Sequence, residues 1–130
     1  MKTVTAAIIW KNNQVLLTRR APEQKLAGFW EFPGGKVEEG ESLKQCLERE
    51  LAEELGVEST VGEEIVTSEH HYDHGAINLV AMSTDLLNED LTLSVHDKAI
   101  WVSVDDLMNY QLAPADIPIA TYLQEKFSDV

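Results

Sequence analysis

The stretch GGKVEEGESLKQCLERELAEELGV, residues 34–57, decides how the rest of the 130-residue chain is organised. Its second half predicts a single helix, because Ser42 is a suitable N-cap and Gln45, three residues further on, can complete a capping box with it. Gly56 is the residue type at which helices commonly end, in a left-handed conformation. The helix is therefore expected to begin just after Ser42 and to end just before Gly56.

Three carboxylates lie on one face of this predicted helix. Glu50, Glu53 and Glu54 are spaced i, i+3 and i+4, so at about 100° per residue they fall within about 100° of one another. Like charges at that spacing repel by roughly a few tenths of a kcal/mol per pair, so a compensating cation is expected. Hard divalent cations such as Mg²⁺ bind carboxylate, water and phosphate oxygens. The simpler alternative is an acidic face that is only solvated.

The apolar side of the helix lies roughly 80° round from the carboxylates. It is a leucine stripe made of Leu43, Leu47, Leu51 and Leu55. The helix can thus pack on a core while its acids face a cleft. Cys46, the only cysteine, also lies inside the helix. It has no partner for an intramolecular disulfide and is expected to serve packing.

The same stretch resembles the sequence signature of the Nudix hydrolases. The matching residues are Gly35, Glu41, Arg49, Glu50, Leu51, Glu53, Glu54, Gly56 and Val57. They reproduce a glycine, five residues, a glutamate, seven residues, and then Arg-Glu-apolar-x-Glu-Glu-x-Gly-apolar. The resemblance implies an α/β protein with the Nudix fold, an α/β/α sandwich around a mixed central sheet. It also implies Mg²⁺-assisted hydrolysis of a nucleoside diphosphate linked to another group, with Mn²⁺ as a substitute cation.

The resemblance also implies roles for individual residues. Glu50, Glu53 and Glu54 correspond to the metal-binding carboxylates of the family, and Glu50 is in addition a candidate base for the attacking water. The backbone carbonyl of Gly34 matches a further metal ligand. Arg49 corresponds to the residue that orients the carboxylates. Catalysis is therefore assigned to Glu50, Glu53 and Arg49.

Basic residues cluster shortly before the acidic helix and suggest a positive wall for phosphates. They are Arg19, Arg20, Lys25 and Lys36, within eighteen positions. The paired glycines before Lys36 are expected to take positive φ and to let the backbone approach a phosphate closely. Arg20 and Lys36 are assigned to substrate binding, together with Asn78 on a later strand. The alternative is that these charges are scattered over the surface.

Length and charge limit the classes of partner. A chain of 130 residues is expected to form one domain, residues 1–130. Ten basic against twenty-three acidic residues give a net charge of −13, which disfavours nucleic-acid polymers and anionic membranes. The apolar run near the N-terminus is too short for a signal peptide or a membrane span, so a cytoplasmic location is expected. The expected state is a monomer or a weak homodimer, with small nucleotides as partners.

Hydrophobic periodicity outside the central stretch predicts further strands and one more long helix. The predicted strands cover residues 4–10, 15–18, 29–32, 57–61, 65–72, 76–84 and 99–102. Turns are predicted at residues 11–14 and 73–75, and a polar connection at residues 85–98. A short helix is expected over residues 103–109. The last helix follows Pro118 and extends to about Phe127.

Two positions in the C-terminal part bear on the resemblance. Many Nudix proteins carry a glutamate, a further metal ligand or base, where this chain has Val95, and Asp97 is a candidate replacement. Asp116, in the segment LAPADIP, matches MutT-type and CTP pyrophosphohydrolase-like members in which Asn or Asp recognises the base. Asp is equally suited to capping the last helix, so both roles stay open.

The leading functional hypothesis is a nucleoside triphosphate pyrophosphohydrolase, NTP + H₂O → NMP + PPi. Its substrates would be oxidised purine nucleotides such as 8-oxo-dGTP, or CTP and dCTP. One alternative is an enzyme that hydrolyses nucleotide sugars or dinucleotides. The other is a nucleotide-binding sensor without turnover, which the intact Glu50, Glu53 and Glu54 oppose and which Val95 leaves open.

Overall fold

The computed structural model describes residues 1–73 and 75–127, and in this part of the chain six strands and two α-helices are found. The strands are β1 (Lys2–Lys11), β2 (Gln14–Arg20), β3 (Trp30–Glu31), β4 (Ser59–Tyr72), β5 (Gly75–Leu86) and β6 (His96–Ser103). The helices are α1 (Leu43–Leu55) and α2 (Ile117–Phe127), with 3-10 turns at Val104–Asn109 and Pro114–Asp116. The predicted turn at residues 73–75 includes His74, which lies outside the described residues.

The six strands form one mixed sheet. β1 pairs in parallel with β5, and β5 pairs antiparallel with β4. β2 pairs antiparallel with β1 at their connecting turn, with β3 over two residues, and with β6 along its length. The turn residues Asn12 and Asn13 have φ of 51° and 65°, as a two-residue hairpin turn of the primed type requires. The predicted opening hairpin is thus confirmed.

Each face of the sheet is covered by one α-helix. On one face Leu47, Leu51 and Leu55 of α1 are fully buried against Ala7, Ile9, Leu16, Val80 and Met82. On the other face Ile119, Ala120 and Leu123 of α2 are fully buried with Ala6, Ile8, Leu17, Leu79 and Ala81. Neighbouring strand residues alternate between the two clusters, as the pleat requires. The predicted α/β/α sandwich is confirmed.

Both ends of α1 are satisfied as the sequence predicts. The Gln45 N–H donates to Ser42 Oγ at 3.1 Å, and the Ser42 N–H donates to Gln45 Oε1 at 2.9 Å. Gly56 has φ 65° and its N–H donates to the carbonyl of Ala52 at 3.1 Å. Both cap predictions are therefore confirmed.

The loop before β6 completes the C-terminal end of α1. The Thr92 N–H donates to the Leu55 carbonyl at 2.8 Å, and the Ser94 N–H donates to the Glu54 carbonyl at 3.2 Å. The Ser94 hydroxyl donates to the Glu53 carbonyl at 3.1 Å. These bonds satisfy carbonyls that the helix itself leaves without donors. They also hold the start of β6 beside the acidic end of α1.

Two strands differ from their predicted bounds. The segments predicted separately at 57–61 and 65–72 form the single strand β4, because register shifts between Val61 and Val66 absorb the intervening residues. β6 begins at His96 instead of residue 99. Its polar first residues did not indicate a strand, since the groups that satisfy them belong to β2 and β3. Within the described residues, no helix is long and apolar enough to cross a membrane.

The Ser42 cap gives a first testable prediction. Replacing Ser42 by Ala removes the acceptor for the Gln45 N–H and should lower the free energy of unfolding by about 1 kcal/mol. Ser42→Asp, which keeps an acceptor, should retain most of that stability. Urea denaturation of the three proteins measures the difference. An equal loss in both variants would contradict the capping role.

Candidate functional site

Glu54, at the end of α1, occupies an unusual environment for a carboxylate. Burial, together with the charges of Glu31 and Glu50, raises its pKa to about 8, although the N–H of Gly34 opposes the shift. Within the described residues Glu54 Oε1 is buried without a hydrogen-bond partner. A buried oxygen without a partner costs free energy. The atom is therefore a position at which a proton, a cation or a ligand donor would be stabilised.

Arg49 donates hydrogen bonds to three other acids of the central stretch, Glu41, Glu50 and Glu53. Its guanidinium contacts both oxygens of Glu41 at 2.6 and 2.9 Å, and these hydrogen bonds hold the pKa of Glu41 at about 2. Nη1 donates to Glu50 Oε1 at 2.8 Å and to Glu53 Oε2 at 3.2 Å. One cation thus fixes the orientation of three carboxylates. Burial nevertheless raises the pKa of Glu50, more than Arg49 lowers it.

The carboxylates of α1 have the donor chemistry of a divalent-cation site without being gathered around one point. Across residues 1–73 and 75–127, no three His, Cys, Asp or Glu side chains surround a common ion position. Arg49 holds Glu50 and Glu53, while Glu54 contacts the Gly34 N–H. Hard oxygen donors suit Mg²⁺-type cations, and Oε1 of Glu54 is already desolvated and unpaired. The residues fit such a cation, with Arg49 as the competing partner of Glu50 and Glu53.

Close contacts leave no space for a side chain at Gly34 or Gly35. A Cβ on Gly34 would lie 2.0 Å from the carbonyl oxygen of Thr5, and one on Gly35 would lie 2.3 Å from the carboxyl carbon of Glu50. The Thr5 N–H donates to the Gly35 carbonyl at 2.8 Å, which keeps the loop against β1. Neither glycine has positive φ, so that prediction was wrong. What these positions need is the absence of a side chain.

The structure adds Glu31 and His96, which the sequence did not indicate. Arg20 Nη1 lies 3.2 and 3.1 Å from the two oxygens of Glu31, and His96 Nε2 lies 2.9 Å from Glu31 Oε2. The His96 side chain is fully buried. In sequence Glu31 is simply a polar residue between Trp30 and Phe32. Its partners come from β2 and β6, 11 and 65 residues away, so only the folded sheet reveals the cluster.

A cavity of about 150 Å³ lies next to this cluster on the α2 face of the sheet. Its polar wall includes Arg20, Glu31, Gly34, Tyr72 and Asp116. Asp116 is buried, and its Oδ2 accepts the Phe32 N–H at 2.9 Å. Burial and the charge of Glu31 raise the pKa of Asp116 well above its usual range. The carboxyl thus binds the strand–loop junction at Phe32, whereas the capping role had required a bond to the first turn of α2.

The other residues assigned to substrate binding are divided between the two sides of the sheet. Arg20 lines the cavity, and Lys36 lines a groove beside it. Asn78 alternates with Ile77 and Leu79, which belong to the α2-side cluster, so it lies on the α1 side of β5. The structure therefore does not bring Asn78 together with the cavity.

The segment at Val95 does not supply a replacement carboxylate. Asp97 accepts two hydrogen bonds from Arg19, both 2.8 Å long, which lower its pKa. Strand alternation puts Asp97 on the opposite side of β6 from His96, the residue that contacts Glu31. The expectation that Asp97 takes the place of the missing glutamate is therefore not supported by its position.

Comparison with known proteins places the chain among close relatives. Residues 4–122 match the family model described as a NUDIX domain. A CTP pyrophosphohydrolase of Escherichia coli is 42% identical over 119 residues, 92% of this chain and 88% of that protein. An 8-oxo-dGTP diphosphatase of Proteus vulgaris is 41% identical over 69 residues, 53% of this chain and 62% of that protein. The solution structure of the E. coli ORF135 protein is similar with a TM-score of 0.85 at 38% identity, covering 98% of this chain and 91% of that one.

The burial of Glu54 predicts a pH dependence of stability in the absence of divalent cations. Its pKa is about 8 in the folded protein, against an ordinary value of 4.5 that the unfolded chain should keep, so between those values only the folded protein retains the proton. The contribution of Glu54 to the free energy of unfolding therefore falls as pH rises from about 4.5 to about 8. Glu54→Gln cannot ionise, so its stability advantage over the wild type should grow across this window to the order of a few kcal/mol.

The measurement is a series of melting curves of both proteins between about pH 5 and about pH 8.5 in a chelator. Adding a divalent cation to the wild type at about pH 8 should recover part of the difference. A difference that is the same at every pH would show that Glu54 is not the group responsible.

Proposed function

Because the chain belongs to the Nudix family of hydrolases, we propose that it hydrolyses nucleoside triphosphates to nucleoside monophosphates and pyrophosphate. The observation that carries the proposal is the position of Asp116 and Glu31 in one cavity whose wall includes Gly34, the residue whose N–H lowers the pKa of Glu54. A base bound at Asp116 would thereby have its phosphates beside the acidic end of α1. The named activities of the E. coli and Proteus relatives support this class of substrate.

Nudix hydrolases need a divalent cation, and we assign Mg²⁺ here, with Mn²⁺ as a substitute. Glu50, Glu53 and Glu54 would hold it, together with the carbonyl of Gly34. When bound, such a cation neutralises phosphate charge and lowers the pKa of water. The unpartnered Oε1 of Glu54 supports its inclusion among the ligands. Loss of the Glu54 proton would accompany binding, because the ligating carboxylate must be ionised.

Glu50 is the proposed general base and Arg49 its positioning residue. A base works best when its pKa lies near the working pH, and burial shifts the pKa of Glu50 in that direction. The hydrogen bond from Arg49 Nη1 limits the directions in which the carboxylate can turn. The water proton would pass to Glu50 as the water oxygen attacks one phosphorus of the α–β linkage and the bond from that phosphorus to the bridging oxygen breaks, which gives the monophosphate and pyrophosphate.

Asp116 is the proposed base-recognition residue, acting as a protonated acid. Burial raises the pKa of Asp116 well above its usual range, which favours the protonated form, and that form offers both a donor and an acceptor. One oxygen already binds the Phe32 N–H, which fixes the direction of the other. A donor and acceptor together complement the N3 and amino group of cytosine, or the paired edge groups of an oxidised guanine. CTP, dCTP and 8-oxo-dGTP are therefore the substrates we propose.

The net charge of the protein limits the partners that it can bind. We propose that residues 1–130 act as one domain, a monomer or weak homodimer that works on small nucleotides in the cytoplasm. A net charge of −13 supports exclusion of nucleic-acid polymers, because polymer binding depends on neutralising many phosphates at once. A small nucleotide with a bound cation carries less negative charge and is therefore repelled less by the acidic protein.

Loss of a cation ligand tests the catalytic assignment. Glu53→Gln should lower kcat by at least roughly 10²-fold, as expected on losing one electrostatic stabiliser of the transition state. Glu39→Gln, which removes one acid from the loop before α1, should keep near-normal kcat. The assay is Mg²⁺-dependent turnover of CTP and 8-oxo-dGTP, with early products separated by chromatography.

Monophosphate and pyrophosphate are expected in equal amounts from the wild type. Successive release of orthophosphate would reject this reaction. Near-normal turnover by folded Glu53→Gln would reject the ligand assignment. Tight nucleotide binding by the wild type with no turnover of any nucleotide would favour a sensor instead of an enzyme.

Substitution of Asp116 tests base recognition by the protonated acid. Asp116→Asn keeps a donor and an acceptor, so the ratio of kcat/KM between CTP and 8-oxo-dGTP should stay within about threefold of the wild type. Asp116→Ala removes both and should change that ratio roughly tenfold or more. The measurement is kcat/KM for each nucleotide with all three proteins, alongside their melting curves. If Asn and Ala shift the ratio equally, recognition depends on the ionised carboxylate; if neither shifts it, Asp116 does not select the base.

A further inference from the structure

A groove of about 380 Å³ adjoins the cavity and is lined by lysines. It shares the lining residues Val4 and Ile77 with the cavity, so the two spaces lie side by side. Lys2, Lys25 and Lys36 lie along its wall. Of these, Lys25 and Lys36 belong to the basic cluster visible in the sequence, whereas Lys2 comes from the start of β1. The fold brings the three together.

Backbone pairing explains how the lysines meet. Val4 of β1 forms a bridge with Lys36, and the Val37 N–H donates to the Thr3 carbonyl at 3.1 Å. Lys2 is two residues from Val4 and therefore lies on the same face of β1. These contacts are between backbones, so the positions of Lys2 and Lys36 do not depend on their own side-chain contacts.

Lys25 reaches the groove from the loop after β2. The Arg20 side chain donates to the Lys25 carbonyl, and the same guanidinium binds Glu31 in the cavity. The following residue, Leu26, has φ 54°, a conformation that costs a non-glycine residue energy and persists only where the surroundings hold it. The loop is thus fixed to the cavity wall by Arg20.

The charge of the groove is not neutralised by the described part of the protein. Acidic residues outnumber basic ones twenty-three to ten, yet the described residues that line this groove include no acid. Within residues 1–73 and 75–127, none of the three lysines forms an ion pair, whereas Arg19, Arg20 and Arg49 all do. Three like charges around one groove repel one another unless an anion lies between them. In so acidic a protein, this grouping of lysines favours an anionic ligand at the groove.

We propose that this groove binds the terminal phosphates of the triphosphate substrate, with Lys2 and Lys25 as specificity-determining contacts beside Lys36. The inference rests on the proposed function, since it takes the base to lie at Asp116 and the phosphate chain to leave the cavity past Gly34 and Gly35. A triphosphate places its highest charge at its far end, where lysine ammonium groups act as point charges toward phosphate. The groove would then distinguish nucleoside triphosphates from diphosphates.

The test compares NTP and NDP hydrolysis by the Lys2→Ala/Lys25→Ala double variant of the full chain. We expect kcat/KM for CTP to fall about tenfold, mainly through KM, and kcat/KM for CDP to change by less than about twofold. Lys44→Ala/Lys98→Ala is the matched control, because it removes two exposed lysines outside the groove. It should leave both values within about twofold. Equal losses for CTP and CDP, or no loss for either, would overturn the proposal.

Binding of inorganic tripolyphosphate, measured by calorimetry in the absence of nucleotide, separates this proposal from the proposed function. The double variant should bind it about tenfold more weakly than the wild type and the control variant. If the wild type hydrolyses no nucleotide but shows this lysine-dependent binding, the proposed function fails and the phosphate groove stands. Unchanged tripolyphosphate affinity overturns the groove whether or not turnover occurs. If the double variant loses only inhibition by pyrophosphate, with KM for CTP unchanged, the groove holds released product and the substrate role is rejected.

Discussion

The contact of the Gly34–Gly35 loop with both β1 and α1 is the constraint on which the site depends. No side chain fits between this loop and Thr5 on one side or Glu50 on the other. Because the loop lies so close, the Gly34 N–H reaches Glu54 and the carbonyl of Lys36 reaches Arg49. The same loop borders the cavity and continues into the lysine groove. The carboxylates of α1, the cavity and the groove thus share one wall.

Charge is distributed unevenly along that wall. The two arginines that partly neutralise its carboxylates, Arg49 and Arg20, are each used for several contacts. Within the described residues, Glu54 has a buried oxygen without a hydrogen-bond partner and a pKa of about 8, whereas the lysines without an ion-pair partner lie in the lysine groove. A metal–nucleotide complex carries the complementary arrangement, a cation on one side of its phosphates and free oxygens on the other. In the proposed complex, the cation would replace the proton of Glu54 and the phosphates would lie beside the lysines.

Features held together by residues close in sequence were predictable, whereas features that depend on residues far apart in sequence were not. The caps of α1, its leucine stripe and the opening hairpin were predictable because each depends on residues a few positions apart. The contact between Glu31 and His96 was not predictable, because strand pairing brings together residues that are distant in sequence. The grouping of Lys2 with Lys36 was not predictable either, because it depends on the bridge between Val4 and Lys36. The position of Asn78 relative to the cavity was not predictable, because it depends on which face of β5 carries the cavity. The raised pKa of Asp116 comes from its burial and from the neighbouring charge of Glu31, neither of which a one-dimensional pattern contains.

The single thiol of the chain has a consequence for observing the site in solution. Cys46 is fully buried in α1, with Sγ 3.3 Å from the Lys36 carbonyl and 3.5 Å from both the Gly35 carbonyl and the Thr5 hydroxyl. Burial raises the pKa of the thiol, which leaves little of the reactive thiolate. An alkylating reagent can reach the thiol only when α1 separates from the Gly34–Gly35 loop. The labelling rate therefore depends on the rate or the extent of this local opening. Mass spectrometry of Cys46 alkylation therefore measures how often α1 separates from the Gly34–Gly35 loop, without any introduced probe.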